Sequence, residues 1–156
     1  MTDSTPLSRY RLAPVVDHRM FVLRDPLQRE SPLSAGAPAL DELLLPGPNG
    51  VVLRSAGDLF QPTCDVEVWA AEPPADDGEW DEQAQASFAA PSATICFESI
   101  MGRPAGPDIP LPPGGAYQVR AYSGGRGEAM ERLTFQQDYT GVEQWLIQIW
   151  PNPVEG

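Results

Sequence analysis

Eighteen prolines and fourteen glycines are scattered without period through 156 residues, and they interrupt the chain too often for long helices. A proline inside a helix removes a hydrogen bond and clashes with the preceding turn, at a cost of about 3 kcal/mol. Short strands joined by turns tolerate the same punctuation, and the segments between the breaks are rich in β-branched and aromatic residues. In 64–71, CDVEVWAA, Cys64, Val66, Val68 and Ala70 point one way, while Asp65, Glu67 and Trp69 point the other. That period of two predicts a half-buried antiparallel strand. HRMFVLR, 18–24, is apolar on both faces and reads as a central strand, and GVVLR, 50–54, is a further candidate. EQAQASFA, 82–89, and ATICFESI, 93–100, flank a Pro-Ser turn and read as a hairpin, while AYQVRAYS, 116–123, alternates as a strand and QWLIQIW, 144–150, apolar on most positions, reads as another. The helix candidate is APALDELLL, 37–45, where Leu40, Leu43 and Leu44 share a face before Pro46 and Gly47 stop it. Linkers fall at 25–36, 72–79, 102–115 and 123–131, none long enough to separate two cores. The expectation is an all-β, antiparallel β-sandwich of about seven or eight short strands with little helix. It would form a single domain over 1–156, with 1–9 and 151–156 as tails.

No run of the sequence reaches the 18 or more apolar residues of a membrane span, and MTDSTPLSRYR has no apolar core for a secretion signal. A cytoplasmic protein with no membrane partner is expected. Cys64, Cys96 and the single histidine, His18, form neither a disulfide framework nor a zinc spacing, and reduced thiols fit that compartment.

Charge is the more informative feature. The formal net charge is −12, and every basic residue is an arginine. Between Arg54 and Arg103 there is no basic residue, while Asp58, Asp65, Glu67, Glu72, Asp76, Asp77, Glu79, Asp81, Glu82 and Glu98 all fall there. Such a field repels phosphate backbones and anionic membranes and attracts basic proteins or metal ions, which argues against direct nucleic-acid binding.

Within this region EPPADDGEWDEQ, 72–83, holds six carboxylates and one tryptophan. It admits three readings: a solvated loop that aids solubility, a hard-cation site, or a surface for a positive partner. The acids lack the alternate spacing and terminal glutamate of an EF-hand loop. Trp80 inside the run fits an interface anchor rimmed by polar groups, and equally a core residue opening the next strand. Asp65 and Glu67, on the polar face of the strand that leads into the run, would extend one negative surface.

Other chemistry is weaker. Cys64 or Cys96 with His18 and Asp17 supplies the residue types of a nucleophilic site, but both thiols sit in strands where small buried cysteines are common. GGRG, 124–127, lacks the lysine and the strand-to-helix context of a phosphate loop and reads as a flexible turn.

Two stretches, VVDHRMFVLRDP from Val15 and WDEQAQASFAAPSATICFESIMGRPAGPDIPLPPGGAYQVRAYS from Trp80, resemble the ComJ family of competence proteins. The likeness lies in the ESIM element, Glu98 to Met101, then Arg103, then Leu111, Pro112, Gly115 and Tyr117 approaching the following strand. It implies a non-enzymatic inhibitor of a DNA-entry nuclease, with no catalytic residue, metal ligand or cofactor to carry over. The combined expectation is a protein that binds and inhibits a basic partner, a nuclease or nuclease-like toxin. Asp76, Asp77, Glu79, Asp81 and Glu82 would steer association and Trp80 would anchor it. The alternative is a sandwich that binds a small ligand or a calcium ion through its acidic loop.

Overall fold

The computed structural model describes residues 5–132 and 141–153. Among these residues ten strands form two sheets: β1 (Ser8–Leu12), β2 (Met20–Arg24), β3 (Leu44–Gly47), β4 (Gly50–Arg54), β5 (Thr63–Val68), β6 (Glu82–Ala89), β7 (Thr94–Ser99), β8 (Ile109–Pro110), β9 (Ala116–Gly124) and β10 (Gln144–Pro151). One helix, α1 (Arg126–Arg132), and a 3-10 turn at Pro32–Ala35 complete the described elements. The first sheet has the order β1-β5-β10-β9-β6 and the second β3-β4-β2-β7-β8. The expected all-β architecture is therefore present. Every pairing is antiparallel except that of β5 with β10, which is parallel.

The period-two pattern decides what faces inward. Cys64, Val66 and Val68 of β5, Tyr117, Val119 and Ala121 of β9, and Trp145, Ile147 and Ile149 of β10 line the inner face of the first sheet. They meet Phe21 and Leu23, Val51 and Leu53, and Ile95 and Phe97 from the second. Phe21 packs edge-on against Trp145 across the interface, with ring centroids 5.1 Å apart and planes at 89°. Val22, on the opposite face of β2, is also buried, as expected for a central strand apolar on both sides.

Several expectations need correction. β6 and β7 do not form a hairpin, because β6 pairs with β9 in the first sheet and β7 with β2 in the second. Their linker already belongs to both layers: Ala90 N–H donates to Gly115 O, and Leu111 N–H donates to Ala93 O. Ala93 takes the left-handed conformation, φ 56°, that turns the chain through this corner. The helix expected at 37–45 is absent: its first part is turn and loop, and Leu44 opens β3, an edge strand set against β4. The helix instead occupies 126–132, largely within the stretch read as a linker, and its first two residues, Arg126 and Gly127, are the second half of the expected flexible turn GGRG. The expected tails shorten as well, since Ser8 and Arg9 belong to β1 and Pro151 to β10. Residues 1–4 and 154–156 lie outside the described residues.

Two buried carboxylates fasten the layers. Glu143, fully buried just before β10, accepts from Ser55 Oγ at 2.7 Å, from Ala56 N at 2.7 Å and from Trp145 Nε1 at 2.6 Å. Arg126 Nη1 stands 3.6 Å away and its guanidinium lies over the Trp145 ring. Gly125, φ +71°, makes this approach possible, since a Cβ there would overlap the Val142 carbonyl. Asp25 accepts from Ser92 N at 2.8 Å, Ser92 Oγ at 2.7 Å and Leu27 N at 2.9 Å, tying the exit of β2 to the corner between β6 and β7.

Removing one member of a buried, hydrogen-bonded charge network typically costs about 3–5 kcal/mol. Glu143→Ala is expected to lower the melting temperature by roughly 10 °C or more, and Glu143→Gln by less; an unchanged melting curve for Glu143→Ala would contradict the anchoring role. Burial pushes the Asp25 carboxyl upward, but the bonds from Ser92 and Leu27 outweigh it and hold it below the ordinary 3.8. A depressed folded-state value contributes stability above the unfolded value and loses it as pH falls through the folded one. Urea titrations of Asp25→Asn should therefore show a shallower loss of stability below about pH 4 than the wild type.

Candidate partner-binding surface

The acidic run does not hang free in solvent; its first half lies across the outer face of the first sheet. That face is unusually apolar for a solvent side, because Tyr122, Leu146 and Trp150 alternate with the core residues of β9 and β10 and need cover. Asp76 N–H donates to Tyr122 Oη at 3.0 Å, and Trp80 stacks at a tilt on the Tyr122 ring with centroids 5.7 Å apart. Arg120, nearly buried, holds the start of the strap. It donates to Pro73 O at 3.2 Å, Glu72 Oε2 at 3.0 Å and Gln148 Oε1 at 3.4 Å, and its guanidinium lies 5.0 Å over the Trp150 ring.

This geometry separates the residues that the sequence grouped together. Asp76 is half-buried and turned inward, accepting from Gly78 N at 3.0 Å and from Trp80 Nε1 at 2.7 Å. Trp80 is half-buried and serves the strap, with its ring against Tyr122 and Gly124. Asp77 and Glu79 are exposed, with no ion pair among the described residues. Asp81 is exposed and accepts from Arg126 N at 3.0 Å, and Glu82, at the head of β6, stands 3.8 Å from Arg126 Nε.

The negative field is also redistributed. Asp65 and Glu67 do not extend one negative surface with the loop, because β1 brings Arg11 to 2.8 Å from Asp65 and Arg9 to 3.6 Å from Glu67. Glu72 pairs with Arg120 and Glu98 with Arg24. The carboxylates left outward are Asp77, Glu79 and Asp81, running into Glu82. The fold then adds two that the sequence did not place there: Asp41 and Glu42, ahead of β3, border the same cleft as Glu82. Only the packing of β3 beside β6 joins them, and no local pattern in 37–45 signals it.

The other candidates disperse. Among the described residues no group of three or more acidic, histidine or cysteine side chains is arranged to hold a metal ion, so the loop carboxylates do not converge as a calcium site would require. Cys64 is wholly buried in the core, and burial pushes its thiol far above the ordinary range. Cys96 lies on the outer face of β7, where burial and then Glu98 push it up to about 11. His18 sits exposed at a hairpin tip with Nδ1 2.9 Å from Asp17, and among the described residues it holds neither thiol.

Trp80→Ala is expected to cost about 2 kcal/mol and to speed amide exchange at Asp76 and Gly78, because the strap loses its ring contact and a hydrogen bond. Asp77→Asn and Glu79→Gln should change stability by less than about 0.5 kcal/mol. Equal effects from both sets would refute this division between structural and outward-facing residues.

No family model matches the sequence, and no curated protein matches it by sequence. No helix among the described residues is long and apolar enough to cross a membrane. Among solved structures, the fold is similar to that of ComJ from Bacillus subtilis, described as an inhibitor of the DNA degrading activity of NucA. The TM-score is 0.62 at 11% identity, covering 97% of this chain and 100% of that one. It is similar also to the protein of crocagin biosynthetic gene J, with a TM-score of 0.59 at 13% identity, covering 94% of this chain and 100% of that one. At these identities the likeness is one of fold, and the ComJ-like resemblance first seen in two stretches of sequence extends across nearly the whole architecture.

Proposed function

We propose that the protein is a non-enzymatic acidic binding protein that inhibits a basic partner, a nuclease or nuclease-like toxin. The observation that carries this reading is the row of outward carboxylates, Asp77, Glu79 and Asp81 in the strap and Glu82 at the head of β6, where Asp41 and Glu42 border the same cleft as Glu82. A nuclease binds its substrate through a groove of cations spaced to meet phosphates. Carboxylates fixed on a folded surface compete for that groove by electrostatic complementarity, which governs encounter rate and specificity more than final affinity. The fold shared with an inhibitor of a DNA-degrading protein supports the same direction.

The test pairs capture with inhibition. Wild type and the variant Asp77→Asn, Glu79→Gln, Asp81→Asn, Glu82→Gln are used to recover partners from lysate of the source cell, and each recovered protein is assayed for plasmid degradation. The expected partner is a basic nuclease that wild type inhibits and the variant inhibits at least tenfold less well. Association should slow steeply between 0.1 M and 1 M salt, as the Debye length falls from about 10 Å to about 3 Å. An association rate flat across that range, with the variant as potent as wild type, would overturn the proposal.

A further inference from the structure

A sheet edge offers a row of unpaired N–H and C=O groups, and folded proteins usually blunt such edges with prolines, charges or short strands. Three of the four edges here are blunted. β3 is short and contains Pro46, β8 is shorter still and contains Pro110, and β1 carries the exposed Arg9 and Arg11. The fourth, β6, runs for eight residues without proline, arginine or lysine, and its one charge is Glu82 at the start.

The register shows which of its groups are open. Ala90 N–H donates to Gly115 O at one side of β9, and Asn152 N–H donates to Ala116 O at the other. Antiparallel ladders alternate residue by residue, so Glu82, Ala84, Ala86 and Phe88 turn their backbone groups to β9. Gln83, Gln85 and Ser87 turn theirs outward. Beside this edge lies a cleft of about 590 Å³ between β6 and β3, floored by Ala84 and Ala86 and walled by Leu43, Leu44 and Pro46. Asp41, Glu42 and Glu82 rim it, and among the described residues no basic side chain lines it.

We propose that the open edge of β6 receives an extended, basic segment of the partner protein as an added strand. Alternate side chains of that strand enter the cleft over Ala84 and Ala86, where small and medium apolar groups fit, and its arginines or lysines meet Asp41, Glu42 and Glu82. A second copy of this chain is the poorer occupant. It would set Glu82 and its neighbours against their own kind in a chain of net charge −12. The inference rests on the inhibitor reading for the identity of the partner, but the edge itself is testable without any nuclease.

The probe is a capped heptapeptide alternating arginine and valine, titrated calorimetrically into the full chain, with the glutamate–valine counterpart as the control. The basic peptide should bind and the acidic one should not. Gln83→Pro removes one outward N–H while leaving the ladder to β9 intact, and it should weaken binding at least tenfold; Gln83→Ala should not. Should Gln83→Pro melt early, Asp41→Arg, at an exposed position off the strand, serves as the second variant and should weaken binding about fivefold. Absence of basic-peptide binding, or binding indifferent to these variants, overturns the proposal. So does a wild-type dimer that Gln83→Pro converts to monomer, which would make the edge a self-interface. A captured nuclease inhibited equally well by Gln83→Pro would remove the edge and leave the inhibitor reading standing. Peptide binding at the edge with no nuclease captured would do the reverse.

Discussion

The structure depends on a carboxylate that water never reaches. Glu143 gathers a hydroxyl and an amide from the segment after β4, an indole from β10 and a guanidinium from α1. Those groups belong to different layers, and the Ser55 hydroxyl, the Ala56 amide and the Trp145 indole would each lose an acceptor if the carboxylate were withdrawn. A hydrophobic contact at that point would hold the sheets together equally well, but it would accept several relative positions. Directional bonds to one fixed acceptor accept far fewer, so Glu143 sets the register between the sheets while the apolar interior supplies most of the cohesion.

Charge in this protein is sorted by the fold into two populations. Arginines supplied by β1, β2, β9 and α1 pair with acidic side chains on strands and at the beginning of the strap. Within the acidic stretch, Asp77, Glu79 and Asp81 face outward where the strap ends and lead into Glu82 at the head of β6. An even negative coat would only favour solubility. A concentrated margin has a direction, and a positively charged partner approaching it is oriented before contact.

Much of the fold was legible in the sequence. Period-two alternation located β5 and β9 and separated their two faces, because burial of one face leaves its mark on every second residue, while apolar runs located β2 and β10. Which sheet each strand joins leaves no such mark. β6 and β7 look like a hairpin because they are adjacent and separated by a short Pro-Ser turn, and only the bonds of Ala90 and Leu111 show that the turn crosses between layers. The helix was misplaced for a related reason. Leucines at 40, 43 and 44 imitate a helical face, whereas 126–132 follows Gly124 and Gly125 and carries Gly127 in its first turn, and Arg126 owes its place to Glu143, just before β10. In the acidic run, composition identified the charge but could not separate Asp76 and Trp80, which fasten the strap, from Asp77 and Glu79, which face outward.

The parallel pairing of β5 with β10 has a consequence for how the molecule is assembled. Without β10 the first sheet is two separate ladders, β1 with β5 and β9 with β6, and among the described residues no other strand joins them. Both ladders precede β10 in the sequence, so the edges of β5 and β9 that face each other can be joined only once that strand is in place. Topologies closed by such distant contacts fold on the millisecond-to-second scale. Closure of the first sheet thus rests on β10, the one strand among the described residues that pairs with both ladders.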